Sequence, residues 1–355
     1  MVDGCTDTRP DRPAVAELVT LADVARAAGV SLATASRALT GAAGRTVRAD
    51  LKAKVLLAAA ELNYSPNANA QAMVRGTTTT VGLVVHDIAD PFAAAVASGV
   101  MAVAAERDLI VTIASTMWDG ETEIRHVEAL RRQRARAVIL AGSRFSDEAL
   151  QGRLAAEVAG ITAAGGRVAA IGQPGLPVDT LVLENADGAA HLARVLWSLG
   201  YRSFAVLAGP EAVVTSEERL TGFRAGLSAC GHELPAENII GTQLTRDGGY
   251  VAMTELLDRE VEVQAVFAVN GVMAVGAMAA LREQGHQVPQ DMALAGFDDI
   301  ATLRDIQPPL TTVRLPLVKI GRRALELALD RPDGARPVTE RAAGEVVVRA
   351  STPAR

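Results

Sequence analysis

Apolar positions recur first with a helical spacing and then, from about residue 80, in short runs separated by amphipathic stretches. Leu21, Val24 and Ala28 fall on one helical stripe behind Thr20, a good N-cap, and Gly29 can take the left-handed conformation that stops a helix. Val30 is an apolar plug for the turn, Ser31 a second N-cap, and Ala35, Ala38 and Leu39 mark the inward face of another short helix. Two short helices around a glycine-containing turn describe a helix-turn-helix. Leu51, Val55, Leu56, Ala59 and Leu62 predict a third amphipathic helix ending before Pro66, with Tyr64 closing a small core. The pattern predicts an all-α headpiece over residues 20–65.

Residues 66–77 contain fair helix formers but almost no apolar face, and short isolated helices are marginal in water. They read as a hinge, coil when free and helical when something packs on it. Strands are expected at Val81–Val85, Ile110–Ala114, Ala137–Leu140 and Val168–Ile171, with helices near 92–107, 121–134 and 147–164. A second series follows: helix 187–199, strand Phe204–Ala208, helices 216–230 and 247–258, strand Ala265–Val269, helix 271–284 and strand Ala293–Gly296. Repeated βα alternation means parallel sheets with helices on both faces, so 78–355 is expected to be an α/β core of two doubly wound lobes. A ligand cleft would lie at the strand C-termini. The tail adds a helix at 316–330, a Pro332-Asp-Gly turn and a strand at Val346–Arg349, too little for a lobe of its own. The expected N-lobe covers about 78–186 and 315–331, the C-lobe about 187–314 and 335–355.

Composition narrows the function. At 355 residues, with 49 % hydrophobic and 21 % charged side chains, the chain can bury large cores as a soluble globular protein. Its net charge of −6 argues against nucleic acid only in total, because Glu17–Arg75 carries seven basic against four acidic side chains, net +3, leaving −9 elsewhere. A mildly basic module on an acidic body suits local phosphate contact. Cys5 and Cys230 give neither a disulfide framework nor a metal-ligand spacing. Residues 1–19 are polar, acidic and proline-containing, a disordered leader without the apolar segment of an export signal, and no run approaches membrane-spanning length. A cytoplasmic location is expected. An enzyme on a doubly wound fold is disfavoured: there is no Gly-x-Gly-x-x-Gly after the first strand, no Walker motif and no HExxH. His86, His126, His191, His232 and His286 lie far apart without a paired nucleophile motif, and neither cofactor nor metal is expected.

The order of these parts, with the run Leu21-Ala-Asp-Val-Ala-Arg-Ala-Ala-Gly-Val-Ser-Leu-Ala-Thr-Ala-Ser-Arg-Ala-Leu39, closely resembles the LacI/GalR family of bacterial transcriptional regulators. Further similar stretches include Glu61-Leu-Asn-Tyr-Ser-Pro-Asn67, Ala89-Asp-Pro-Phe92, Arg219-Leu-Thr-Gly-Phe223, Ala295-Gly-Phe-Asp-Asp299 and Pro309-Leu-Thr-Thr312. The resemblance implies a homodimer whose headpieces read a pseudo-palindromic operator, most simply as a repressor of a catabolic operon. It also implies a two-lobed core, similar to periplasmic sugar-binding proteins, that senses a small molecule. The alternatives are a solute-binding protein with a helical extension, or a regulator of this family answering to a nucleobase or cationic effector.

The DNA-facing set is then Thr20, Leu21, Ser31, Leu32, Ala33, Thr34, Ser36, Arg37, Tyr64, Asn67 and Met73. Ser31 and Ser36 would hold phosphates, and Arg37, whose fork matches guanine O6 and N7, would supply most direct readout. Leu32 and Ala33, apolar where the family discriminates operators, can contact thymine methyls. Thr40, Tyr64 and Asn67 are backbone contacts, Tyr64 equally a headpiece core aromatic. Met73 stands where the family usually has the leucine that wedges into the minor groove. In the core, Phe92, Asn270 and Asp298 match the family's sugar pocket, with Asp90 beside them. Glu217 stands where an arginine is expected, Gly271 replaces the second acid of an Asn-Asp pair, and Gly172-Gln173 replaces an acid or aromatic. A carbohydrate remains the leading effector, bound through Asp90, Phe92, Glu217, Asn270 and Asp298.

Overall fold

A computed structural model describes residues 19–40, 47–65, 77–332 and 334–355. The expected leader, the loop at 41–45, nearly all of the hinge with Asn67 and Met73, and the side chain of Thr40 lie outside the described residues. Two compact units meet in sequence at Arg75 and Gly76.

The first unit is helical. Helix α1 (Leu21–Ala27) opens with a capping box: the Thr20 hydroxyl accepts from Asp23 N, and the Asp23 carboxylate accepts from Thr20 N at 3.0 Å. Gly29, at φ +65°, turns the chain out of α1. Ser31 Oγ then accepts from Thr34 N at 3.2 Å at the start of α2 (Leu32–Thr40), and α3 (Ala49–Glu61) completes the unit. Val24, Ala25, Ala35, Ala38, Val55, Ala58 and Ala59 form the core, with Leu21, Val30 and Tyr64 packed on its edge. The expected inward position of Leu56 is corrected. The buried stripe of α3 runs through Val55, Ala58 and Ala59, and Leu56, one residue and about 100° past Val55, is turned to solvent.

The second unit contains two six-stranded sheets among the described residues. The first is built by β1 (Thr80–Val85), α4 (Pro91–Glu106), β2 (Ile110–Ser115), α5 (Gly120–Arg132), β3 (Ala137–Ala141), α6 (Glu148–Ala163), β4 (Arg167–Gly172) and β5 (Asp179–Leu183). Next come α7 (Asn185–Ser198), β6 (Phe204–Ala208), α8 (Val214–Ser228), β7 (Ile239–Gly241), α9 (Arg246–Asp258), β8 (Ala265–Ala268), α10 (Gly271–Glu283), β9 (Ala293–Asp298), α11 (Thr302–Asp305) and β10 (Thr311–Arg314). The chain ends with α12 (Leu317–Asp330), β11 (Thr339–Ala342) and β12 (Glu345–Val347). Strand orders are β11-β5-β4-β3-β1-β2 and β12-β10-β9-β8-β6-β7, every pairing parallel except β12 on β10. The near-continuous apolar strands β1, β3, β6, β8 and β9 suit sheets covered by helices on both faces.

The tail corrects the expected lobe boundaries. Residues 335–355 do not all join the second lobe, because Thr339–Ala342 pairs in parallel with Asp179–Leu183 at the edge of the first sheet. Its approach is fixed by the Asp179 carboxylate, which accepts from Val338 N at 2.8 Å, and by Glu340, which pairs with Arg323 of α12. The chain therefore passes between lobes three times: after β5, after β10 and after β11. Helix α12 returns to lie on α4, where a Cβ on Gly99 would fall 2.1 Å from Val318 O and one on Gly321 2.1 Å from Val96 O. Glycine at both positions lets the two backbones meet. No helix among the described residues is long and apolar enough to cross a membrane.

Candidate functional site

Two surfaces bring together the residues singled out in the sequence. In the headpiece, Ser31, Leu32 and Ala33 are exposed at the start of α2, with 53 % of Leu32 accessible. Arg37 follows on the same side, its Nε donating to Ala33 O at 2.9 Å, so its fork lies along the helix. Thr34 is half-buried and shares a hydrogen bond with Ser31 Oγ at 2.9 Å, and Ser36 is half-buried as well. Thr20 spends its hydroxyl on Asp23 at 2.6 Å. Leu21 and Tyr64 pack against the core, the structural alternative already open for Tyr64.

In the core, a cleft of about 610 Å³, counted to its open mouth, lies between the C-terminal ends of the two sheets. Four of the five expected residues line it. Asp90 caps α4 by accepting from Phe92 N at 2.9 Å, which leaves its other oxygen toward the cleft, and Phe92 stands beside it. Asn270 caps α10, accepting from Met273 N at 2.8 Å and donating to Leu244 O at 3.2 Å. Asp298 ends β9 at φ +80°, and Asp299 follows at φ +49° with its carboxylate held by Arg314 at 2.7 Å and Arg349 at 2.6 Å. Consecutive left-handed aspartates thus separate their carboxylates, one to the cleft and one to its support.

Glu217 does not belong to this set. It is exposed and accepts from Thr221 Oγ1 at 3.0 Å on the outer face of α8. The cation is Arg219, two residues later and about 200° around the helix. Buried Arg219 grips Asp298 with Nη2 at 2.7 Å and Nη1 at 3.1 Å, donates to Val269 O at 2.7 Å and to Asn185 Oδ1 at 2.9 Å, and lies 3.9 Å over the Phe297 ring. Asn185 and Gln173 both donate to Glu218 at 2.8 Å, and Gln173 also donates to Thr215 Oγ1 at 2.8 Å, which ties the first lobe to α8. Beside them Ser146 N donates to Ala212 O and Val214 N to Arg144 O, a short antiparallel bridge between lobes at Phe145 and Val213.

His86 and Trp118, which no motif in the sequence marks as site residues, also line the cleft. Nε2 of buried His86 meets Ser143 O at 3.0 Å and must donate to it, so Nδ1 accepts from Thr116 Oγ1 at 3.1 Å. Desolvation, with Arg144 nearby, pushes its pKa down to about 4, and the ring is neutral. Trp118 stacks on it at 4.1 Å and 16°. Asp90 moves the other way, up to about 6, because burial and then Asp298 and Asp87 outweigh its helix-cap bond and Arg219. Position alone could have flagged Trp118 and His86, since both directly follow strands at the edge where doubly wound sheets bind ligands.

The arrangement has the chemistry of a receptor. The polar groups of Arg219, Asp298 and Asn270 are engaged by one another or by the backbone, and the carboxylates of Asp87 and Asp90, each bonded to a backbone N–H through one oxygen, add acceptors toward the cleft. Among the described residues no cluster of side chains could hold a metal ion. A helix-turn-helix unit followed by a two-lobed ligand-binding core defines a ligand-controlled DNA-binding regulator.

Comparison with known proteins gives the family. Residues 20–67 match the model for bacterial regulatory proteins of the lacI family, and residues 193–352 match the periplasmic binding protein-like domain. The regulator GalS of Salmonella typhimurium is 35 % identical over 323 residues, covering 91 % of this chain and 92 % of GalS. CelR of Thermobifida fusca is also 35 % identical, over 89 % of this chain and 92 % of its own. Among solved structures, a CelR–cellobiose complex superposes with a TM-score of 0.68 at 32 % identity, covering 94 % of this chain and 99 % of that one. The lac repressor dimer bound to operator and an anti-inducer gives 0.80 at 26 % identity, covering 95 % and 100 %. The chain belongs to the LacI family and is a transcriptional regulator that binds operator DNA under the control of a small molecule.

Proposed function

We propose that this regulator is a cytoplasmic, homodimeric repressor of a catabolic operon, released from or held on its operator by a neutral, unphosphorylated carbohydrate in the core cleft. The observation that carries the effector class is the surplus of acceptors: Asp87 and Asp90 face the space beside Asp298, whose charge is matched by Arg219, the one arginine or lysine lining that cleft among the described residues. Hydroxyl groups donate to carboxylates, whereas a phosphate or carboxylate ligand would meet like charge. Phe92 and Trp118 add apolar faces against which a sugar ring packs. CelR, with cellobiose in its structure, and a LacI-family regulator of Enterococcus faecium with ribose are relatives of the same build. In the headpiece, Leu32, Ala33 and Arg37 form the reading edge, with Arg37 directed at guanine, Leu32 and Ala33 at thymine methyls and Ser31 at a phosphate.

The test is a thermal-shift screen of the full chain against sugars, sugar phosphates, nucleosides and amines, with operator retardation followed for each hit. A ligand at a hundred times its Kd adds about 2.7 kcal/mol of stability. A neutral sugar that shifts both melting and operator binding supports the proposal. Stabilisation by an amine alone would replace carbohydrate with a cationic effector, the second reading that the carboxylates of Asp87 and Asp90 favour.

A further inference from the structure

The effector cleft does not end at the space between Phe92, Asn270 and Asp298. A second space of about 630 Å³, again counted to its open mouth, adjoins it and shares Asp87, Asp90, Trp118 and Leu244 as a common wall. Two adjoining spaces with one wall in common offer a place for each of two linked units, and a single sugar ring would leave one of them to water. The outer space is amphipathic: Val272 and Leu244 give apolar surface, while Arg246 and Asp247, paired at 2.8 Å, give polar groups at its rim. That division matches a pyranose, which has apolar faces and a polar edge.

A second observation falls on the shared wall. Met117 and Trp118 both adopt left-handed backbone, at φ +51° and +62°, immediately beyond β2. Bulky residues rarely take this conformation, and it persists where surrounding structure over-determines it. Here it lays the indole on His86, whose own ring is clamped by Thr116 and Ser143. One indole face is thereby covered, and the rest of the ring is presented where the two spaces join.

We infer that the effector is a neutral ligand of two linked sugar rings, one seated between Phe92 and Asp298 and the other in the outer space beside Val272, with Trp118 packed at the linkage. This rests on the carbohydrate reading above and specifies its size. Trp118 and Val272 are then specificity-determining residues, with no part in DNA binding.

Calorimetric titration of the full chain with glucose, galactose, cellobiose, maltose and lactose tests it. At least one disaccharide is expected to bind about tenfold or more tighter than either constituent hexose, a gap of about 1.4 kcal/mol. Val272→Trp, which fills the outer space, is expected to remove that advantage while leaving hexose affinity within about twofold. Trp118→Ala is expected to weaken the disaccharide about tenfold, and Trp118→Phe to restore most of the loss. A far-ultraviolet circular dichroism spectrum and a cooperative melt like those of the unsubstituted chain show that each variant folds. A hexose binding as tightly as every disaccharide, or Val272→Trp weakening both alike, would overturn the two-ring inference and leave the carbohydrate reading intact. Binding of none of the five sugars, with an amine or nucleoside binding instead, would overturn both.

Discussion

His86 and Asp90 stand in one cleft with their proton affinities moved in opposite directions. The His86 ring is neutral because burial, with Arg144 adding to it, depresses its pKa from 6.5 to about 4. A depressed histidine contributes stability that is fully present above pH 6.5 and is lost as pH falls toward 4, up to roughly 3 kcal/mol at about 1.4 kcal/mol per unit. Asp90, raised from 3.8 to about 6, acts with opposite sign over part of that window, so His86→Gln is expected to flatten the fall in Tm between pH 6.5 and 4 and expose the Asp90 trend. Melting followed across that range checks this. Asp90 bears on affinity as well. A hydroxyl donates more strongly to the ionised carboxylate than to the neutral acid, so effector affinity is expected to drop as pH falls below 6, by at most about tenfold per unit. Titration calorimetry at pH 5 to 8 reads the slope, and Asp90→Asn is expected to remove it.

At the scale of elements, close backbone contact fixes the helix pairs. Gly99 and Gly321 each admit a carbonyl oxygen of the other helix where a Cβ would stand, and backbone cannot yield as a flexible side chain does. Gly99→Ala is therefore expected to destabilise the core by about 1–3 kcal/mol through overpacking, while Gly152→Ala, with open space around it, is expected to be neutral or stabilising. Denaturant melts of the two variants separate packing from helix propensity. The same scale shows what could be read from the chain. Apolar strands such as Ala137–Ala141 and Phe204–Ala208 stood out because they are buried on both faces, and the short helices of the headpiece because their caps and Gly29 are local signals. Thr339–Ala342, with the sequence Thr-Glu-Arg-Ala, has no strand pattern at all. It pairs because Asp179 and Arg323 receive it, and Asp179, whose strand it joins, is remote in sequence. The cleft followed the same rule. Phe92, Asn270 and Asp298 were legible as motifs, whereas Arg219 in place of Glu217 follows from the phase of α8, on which Arg219 shares the buried face of Phe223 and Leu227.

For the whole molecule, a headpiece with a small positive surplus precedes a core that carries the acidic balance. Specific binding then draws on few phosphate contacts from Arg and Lys, and each releases counterions. Operator affinity is expected to fall about a thousandfold between 50 and 200 mM salt, the lower end for six to ten contacts, as measured by filter binding or fluorescence anisotropy. Effector affinity, if the ligand is the neutral sugar proposed above, is expected to stay nearly constant over the same range. A regulator of this build thus separates its two affinities by the physics each uses: one screened by salt, the other by exclusion of water.

The three passages of the chain between lobes also order events on the ribosome. Val96, Val100 and Val103 of α4 are buried, and α12, which lies across that helix, begins only at Leu317. At about 5–20 residues per second, the interval between the end of α4 and the start of α12 is roughly 10–40 s of synthesis. During that time the first lobe has its central strands but neither its closing helix nor its edge strand, while the second lobe emerges. A nascent chain of this topology holds an uncovered apolar face for most of its translation, and the lobe begun first is the one that cannot be finished until nearly last.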